Sequence, residues 1–209
     1  MNLFINTAHA ICGVGLFHEK TLLAQKETAL IQGHAQLLPG MVEEVMATTG
    51  TTFKDLQNLI VDVGPGSFTG IRVGVAFAKG LAHGLNIPLE GINGFDMFFQ
   101  GKTNREDTLV VIDAKRKDLY CQFFPKNGNS SVPQNLSSHD IEEFYDLNEI
   151  KCIGDGATQL EKELGFSLNL IKSEMTFLEL MNIAFLLGHS QSPAIPFYLR
   201  SADVSHPKN

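Results

Sequence analysis

The chain has 209 residues, of which 44% are hydrophobic and 19% are charged, and its net charge is −7. That composition is typical of a soluble globular protein with room for one large domain or two small lobes. The negative charge, with no basic stripe to offset it, argues against a protein that binds nucleic acid non-specifically.

Cysteine usage and the N-terminus both indicate a cytoplasmic protein. Cys12, Cys121 and Cys152 are far apart and lie in apolar runs, which predicts reduced, buried thiols. We find no basic start followed by a long apolar region, so no signal peptide is expected. The apolar runs are also shorter than the roughly 20 residues that a membrane span needs.

The first half of the chain changes from a strand pattern to alternating strands and helices. Short apolar runs with polar turns between them predict an antiparallel start of three strands, over residues 3–7, 12–17 and 21–25. Apolar residues at helical spacing predict three helices, over residues 35–48, 67–85 and 95–100. Strands are expected between these helices at residues 59–63 and 87–89.

The second half partly repeats this pattern. We predict strands at residues 108–113, 119–124 and 150–153, a polar loop at 127–138, and helices at 158–164 and 176–187. The order β-β-β-α-β-α-β-α followed by a reduced version indicates an α/β protein with mixed sheets. The polar segment 101–107 has the composition of a linker, so we place an N-terminal lobe at residues 1–103 and a smaller C-terminal lobe at 104–209.

A glycine-rich turn, Val63-Gly-Pro-Gly-Ser-Phe-Thr-Gly-Ile-Arg-Val-Gly74, joins a predicted strand to a predicted helix. Such turns often bind phosphate, but this one matches neither the dinucleotide fingerprint, nor the P-loop, nor the nucleophile elbow. Pro65 also removes a backbone N–H from any anion site. A structural turn, with Ser67 or Thr69 capping the helix, is at least as well supported as a binding loop.

The helix after this turn carries an unusual number of small residues. They are Gly70, Gly74, Ala76, Ala78, Gly80, Ala82 and Gly84. Glycine inside a helix costs roughly 0.5–1 kcal/mol relative to alanine. We therefore expect another helix or strand to approach this backbone closely.

Four segments of the chain together resemble the TsaB (YeaZ) family, whose members take part in making threonylcarbamoyladenosine in tRNA. The most specific is the signature 64–74, and it is accompanied in order by His34-Ala-Gln-Leu-Leu-Pro39, Leu109-Val-Val-Ile-Asp-Ala-Lys115 and Pro196-Phe-Tyr-Leu-Arg200. The resemblance implies an actin-like ATPase (ribonuclease H-like) fold with two related lobes. It also implies a non-catalytic partner of a TsaD-like catalytic subunit, joined by a TsaE-like ATPase, with tRNA contacted only through the complex.

The resemblance further implies that the first two helices, residues 35–49 and 67–84, form the pairing surface and support a homodimer when TsaD is absent. The residues expected at this interface are His34, Leu37, Leu38, Met41, Val45, Arg72, Val75, Ala76 and Lys79. The apolar positions of the first helix cover about half of its circumference, more than one stripe on a sheet needs. Either a partner covers the excess, with Met41 near its middle, or the helix is wholly buried. For His34 the alternative is an exposed polar residue.

No catalytic, cofactor or metal site is expected within the chain itself. Actin-like ATPases carry an acidic residue on the first strand, whereas this chain has Asn6 there, so ATP or ADP is expected only at a composite interface. The histidines lack the spacing that places a pair on one helical face. Asp113 and Asp155 each end a strand and either hold Mg²⁺ or form turns. The alternatives that remain are an actin-like ATPase or kinase, a glycoprotease-like enzyme, and a homodimeric binding module.

Overall fold

The computed structural model describes residues 1–9, 11–29, 33–100, 106–171, 175–187 and 193–200. Its strands are β1 (Asn2–Asn6), β2 (Ile11–His18), β3 (Thr21–Ala29), β4 (Asn58–Gly64), β5 (Leu89–Asn93), β6 (Thr108–Asp113), β7 (Leu119–Phe124), β8 (Gln134–Leu136) and β9 (Lys151–Ile153). Its helices are α1 (His34–Thr49), α2 (Phe68–Leu85), α3 (Gly94–Gln100), α4 (Ser138–Phe144), α5 (Ala157–Leu164) and α6 (Phe177–Leu187).

The strands form two mixed sheets with the same plan. In the first, the order is β3-β2-β1-β4-β5, with β1, β2 and β3 antiparallel and β4 and β5 parallel to β1. In the second, the order is β8-β7-β6-β9, again with an antiparallel trio and one parallel neighbour. The second sheet is therefore a shortened copy of the first, and the predicted α/β fold with mixed sheets is confirmed.

Three hydrophobic clusters hold the layers together. One lies between the first sheet and the helices α1 and α2. A second joins the opposite face of that sheet, through residues such as Phe4 and Ile60, to α3, α6 and residues of the second sheet such as Ile112. The third lies on the outer face of the second sheet, under α4 and α5. Both sheets thus contribute to one central core. Along each strand, successive side chains point to opposite faces of the sheet, so neighbouring residues enter different clusters.

Most of the predicted elements are confirmed, and three segments differ. The strand expected at 21–25 continues to Ala29 as β3. The strand expected at 87–89 begins at Leu89 and runs to Asn93, because Pro88 lacks an N–H for the ladder. The loop expected at 127–138 contains the short strand β8 and leads into α4, which begins after the cap Ser137. The lobe boundary expected at residue 103 lies outside the described residues and stays a prediction.

Two further predictions concern the cysteines and membrane-spanning helices. All three cysteines are free and buried, as expected, and burial raises the pKa of the Cys12 thiol to about 11. Within the ranges that the structure describes, no helix combines the length and the apolar character needed to cross a bilayer.

Candidate functional site

The helices α1 and α2 lie side by side on the first sheet, but they expose only part of the predicted interface. Leu37, Arg72, Ala76 and Lys79 are exposed, and Leu37 keeps 44% of its surface in contact with solvent. The other five residues are between 0% and 6% exposed: His34, Leu38, Met41, Val45 and Val75. These five have almost no surface to offer a partner, so their direct contact with one stays a prediction that their burial argues against.

The packing of α1 within the chain explains why these residues are buried. The helix packs on β2 and β3 below it and against α2 beside it, so its own chain covers a second apolar flank. Met41, for example, contacts the thiol of Cys12, with 3.9 Å between the sulfur atoms. Burial also lowers the pKa of His34, at the first turn of the helix. The chain itself thus buries most of the apolar arc, including Met41, and leaves Leu37 exposed.

A shallow groove of about 360 Å³ separates the exposed edges of the two helices. It is lined by Ala35, Leu38, Arg72, Val73, Ala76 and Phe77. Leu37 is exposed but lies about 160° around α1 from Ala35, because consecutive helical residues are 100° apart. The exposed surface at the groove is therefore apolar, bordered by the cation of Arg72, and only part of the predicted residue set belongs to it.

The small residues of α2 divide into two groups with different surroundings. A Cβ atom at Gly70 or Gly74 would overlap Thr7, whose hydroxyl donates a hydrogen bond to the carbonyl of Gly70 over 2.7 Å. Close packing against Thr7, which directly follows β1, thus accounts for these two glycines, as expected. Gly80 and Gly84 have no described residue within 4 Å of the same position, so the part of the chain that the structure describes gives no packing reason for them.

The glycine-rich turn uses its backbone donors internally. The N–H of Gly64 donates to Oδ1 of Asp62 over 2.8 Å, and that of Ser67 to the carbonyl of Ala8 over 2.8 Å. The N–H of Gly70 donates to the Ser67 hydroxyl over 3.1 Å, which makes Ser67 the N-cap of α2. A phosphate would need these same N–H groups, so the geometry favours the structural alternative for this turn.

A buried charge cluster, which the sequence pattern did not identify, lies where the two sheets meet. His9 follows β1, Asp62 lies in β4 and Asp155 follows β9. The Nε2 atom of His9 is 2.9 Å from Oδ2 of Asp62, and its Nδ1 atom is 3.5 Å from Oδ2 of Asp155. Their side chains are 3%, 0% and 20% exposed. Neither carboxylate oxygen lies along a ring N–H direction, so these contacts are ion pairs rather than aligned hydrogen bonds.

The charges of this cluster favour its ionised form. Burial disfavours a charged His9, but the nearby carboxylates of Asp62 and Asp155 outweigh burial and raise the pKa of His9 to about 10. Burial likewise acts to raise the pKa of Asp155, yet the charge of His9 leaves it below its ordinary value. Asn6 lies at the end of β1 nearby, where its Oδ1 accepts the N–H of Ala8 over 3.0 Å.

The carboxylates proposed as a Mg²⁺ pair are occupied by donors of the chain. Asp113 accepts the backbone N–H and the Nζ of Lys115, over 2.6 and 2.7 Å. Asp155 accepts the N–H of Asp113 through Oδ1 and faces His9 through Oδ2. Among the described residues, no group of three or more histidine, cysteine or carboxylate side chains is arranged to hold a metal ion. The turn-forming alternative is the better supported one.

A family model described as TsaD, tRNA N6-adenosine threonylcarbamoyltransferase, matches residues 22–162. The chain belongs to this family. The expected resemblance to the TsaB (YeaZ) proteins is confirmed by relatives of that name. The tRNA threonylcarbamoyladenosine biosynthesis protein TsaB of Escherichia coli is 34% identical over 130 residues, 61% of this chain and 56% of that protein. The TsaB protein of Buchnera aphidicola subsp. Schizaphis graminum is 26% identical, and the alignment covers 92% of this chain and 96% of that protein.

A solved structure supports the fold across nearly the whole chain. YeaZ from Pseudomonas aeruginosa superposes with a TM-score of 0.73 at 22% identity, covering 95% of this chain and 99% of that one. The fold is of the actin-like type, as predicted. The alignment with the Escherichia coli relative spans only about half of that protein's length.

Proposed function

We propose that this chain is an accessory, non-catalytic subunit of the machinery that makes threonylcarbamoyladenosine in tRNA, and that it binds a TsaD-like catalytic subunit through α1 and α2. The observation that carries the proposal is the groove between these helices. It presents an apolar floor on an exposed face of the molecule, beside glycines of α2 that no described residue approaches within 4 Å. Small residues allow the backbone of a partner helix to come close, which offsets their cost in helix stability.

The non-catalytic part of the proposal rests on the turn and the cluster. The N–H groups of Gly64, Ser67 and Gly70 in the glycine-rich turn are paired within the chain, and Asn6 stands where an acidic residue would organise a metal. The buried His9 already contacts both Asp62 and Asp155, which leaves those carboxylates less available to a metal ion. ATP or ADP is then bound only where a second subunit completes a site, and a TsaE-like ATPase is the expected third component.

Contact with tRNA is expected only through the assembled complex, in the cytoplasm. The net charge of −7 would repel a polyanion from most of the surface. A homodimer through the same helices is the expected state of the isolated chain. The competing functions, an actin-like ATPase or kinase, a glycoprotease-like enzyme and a dimeric binding module, all predict no dependence on a TsaD-like protein.

A substitution in the groove tests the proposal. Ala76→Glu places a charge on the apolar surface at an exposed helical position, and Thr158→Glu adds the same charge at an exposed position of α5 in the other lobe. Affinity for the TsaD-like subunit of the same organism, measured by calorimetry, should fall more than tenfold for Ala76→Glu, because the charge must be desolvated on binding. The control should bind as the wild type does. Absence of binding by the wild type, or equal binding by all three proteins, would refute the proposal.

A further inference from the structure

Arg72, at the border of the groove, is held in place by two aromatic side chains. Its Cζ atom lies 3.8 Å from the ring centroid of Phe68 and 5.8 Å from that of Tyr198. Its Nε atom donates a hydrogen bond to the hydroxyl of Tyr198 over 3.2 Å. The two rings are themselves 5.0 Å apart. The guanidinium thus stacks on Phe68 of α2 and is also hydrogen-bonded to Tyr198 of the C-terminal segment.

The C-terminal segment that supplies Tyr198 is anchored to the first sheet. The N–H of Phe197 donates to the carbonyl of Val63 over 2.8 Å, beside the glycine-rich turn. Ala194 is buried at 6% exposure, and a Cβ atom at Gly91 would lie 2.9 Å from its Cα. Tyr198 therefore reaches Arg72 from a backbone fixed on β4 and β5, and it sets the position of the guanidinium.

Although the protein is acidic, no carboxylate among the described residues pairs with this cation. Of the ion pairs formed among the described residues, none includes Arg72. The Nε atom is used by Tyr198, which leaves the two terminal nitrogens as donors. An arginine whose rotamers are already restricted loses less freedom when it binds, and its paired N–H groups fit a carboxylate in a bidentate manner.

We propose that Arg72 is the charge-pairing determinant of the groove, binding an aspartate or glutamate of the partner segment whose apolar side chains fill the groove, and that Tyr198 is its positioning residue. This rests on the proposed function, and it names the chemistry of the partner surface. The apolar lining favours a protein segment over a nucleic acid, since phosphate backbones are bound by several cations rather than one. Charge complementarity at a desolvated edge of an interface also favours arginine.

The test measures the dissociation constant for the TsaD-like subunit with four variants at low and high salt. Arg72→Ala should weaken binding about tenfold or more, and it should reduce the salt dependence because an ion pair is lost. Arg72→Lys keeps the charge but not the stacked fork, so it should recover only part of the affinity. Tyr198→Phe should weaken binding roughly threefold, and it should have no effect when Arg72 is already alanine. Equal melting temperatures would show that the variants are folded.

Four outcomes would contradict the inference about Arg72 and Tyr198. If Ala76→Glu abolishes binding while Arg72→Ala binds as tightly as the wild type, the groove is the interface and the inference about Arg72 is wrong. An undiminished effect of Tyr198→Phe in the Arg72→Ala background would overturn the positioning role. Retained affinity of Arg72→Ala for the subunit, with weakened binding to a tRNA transcript, would assign the cation to phosphate instead. If the wild type binds no TsaD-like subunit, the proposed function and this inference fail together.

Discussion

His9 and Asp155 join the two sheets of the molecule through a contact of 3.5 Å between Nδ1 and a carboxylate oxygen. The other ring nitrogen of His9 faces Asp62, which is fully buried within the first sheet. One cation therefore lies between a carboxylate from each sheet, at the edge where the strands β1, β4 and β9 end. Removing it would leave Asp62 charged and unpaired in the core, a strongly unfavourable state.

This arrangement makes stability depend on pH in a defined direction. The pKa of His9 is about 10 in the folded protein and 6.5 without its neighbours, so the folded state binds the additional proton between these values. The stabilisation is complete below pH 6.5 and is lost as pH rises to 10, by up to about 1.4 kcal/mol per pH unit. We expect the free energy of unfolding of the wild type to fall faster over this range than that of His9→Gln. Parallel curves from denaturant titrations would contradict the assignment.

A pair of glycine substitutions tests the packing of α2. Gly74→Ala should destabilise the protein by about 1–3 kcal/mol, because the new methyl group would overlap the buried hydroxyl of Thr7. Gly80→Ala should stabilise it by about 0.5–1 kcal/mol, since the methyl group meets open space and alanine is the better helix former. Thermal melting of both variants is the measurement. Effects of the same sign would show that the contact with Thr7 is not what distinguishes the two positions.

Met41 lies on the buried face of α1, whereas Leu37 lies on its exposed face. Met41 is 5% exposed, so Met41→Glu should lower the free energy of unfolding by more than about 3 kcal/mol through lost packing and a buried charge. Leu37 is 44% exposed, and Leu37→Glu should change it by less than about 0.5–1 kcal/mol. Chemical denaturation compares the two variants. A stable Met41→Glu protein that no longer binds its partner would restore the interface role that its burial argues against.

The glycine-rich turn leads us to expect no nucleotide binding by the isolated chain. Its donors at Gly64, Ser67 and Gly70 are already paired. A ligand that binds only the folded state raises the melting temperature with its concentration. Mg²⁺ with ATP or ADP should therefore leave the melting temperature unchanged. A concentration-dependent rise that is lost on Ser67→Pro, at the cap of α2, would contradict this expectation.

The sequence pattern was sufficient to predict the helices and strands that local residue spacing specifies. The apolar spacing and the terminal Gly50 placed α1 within a residue or two of its observed bounds, and the run 108–113 matched β6. The prediction of a loop at 127–138 missed β8, because this strand has only three residues and its composition is polar. The capping box of Ser137 and Asp140 was a signal that would have located α4.

The candidate site was harder to predict because it depends on tertiary proximity. No sequence motif around His9 indicates a role for it, and Asp62 lies inside an apolar strand. His9 and Asp62 come close to Asp155 only because the two sheets meet. The width of the apolar arc on α1 could not distinguish a partner helix from α2 of the same chain. Arg72 was expected at the interface, but the contribution of Tyr198 from the C-terminal segment requires the folded structure.

The most direct test of the account is formation of threonylcarbamoyladenosine in a reconstituted system, measured by mass spectrometry of tRNA nucleosides. The system contains tRNA, a threonylcarbamoyl donor, the TsaD-like and TsaE-like proteins of the same organism, and this chain or its Ala76→Glu variant. We predict no product from this chain alone, product when the wild-type chain joins the other proteins, and at least tenfold less with the variant at limiting concentration. Product formed by this chain alone, or a yield that does not depend on its presence, would contradict the account.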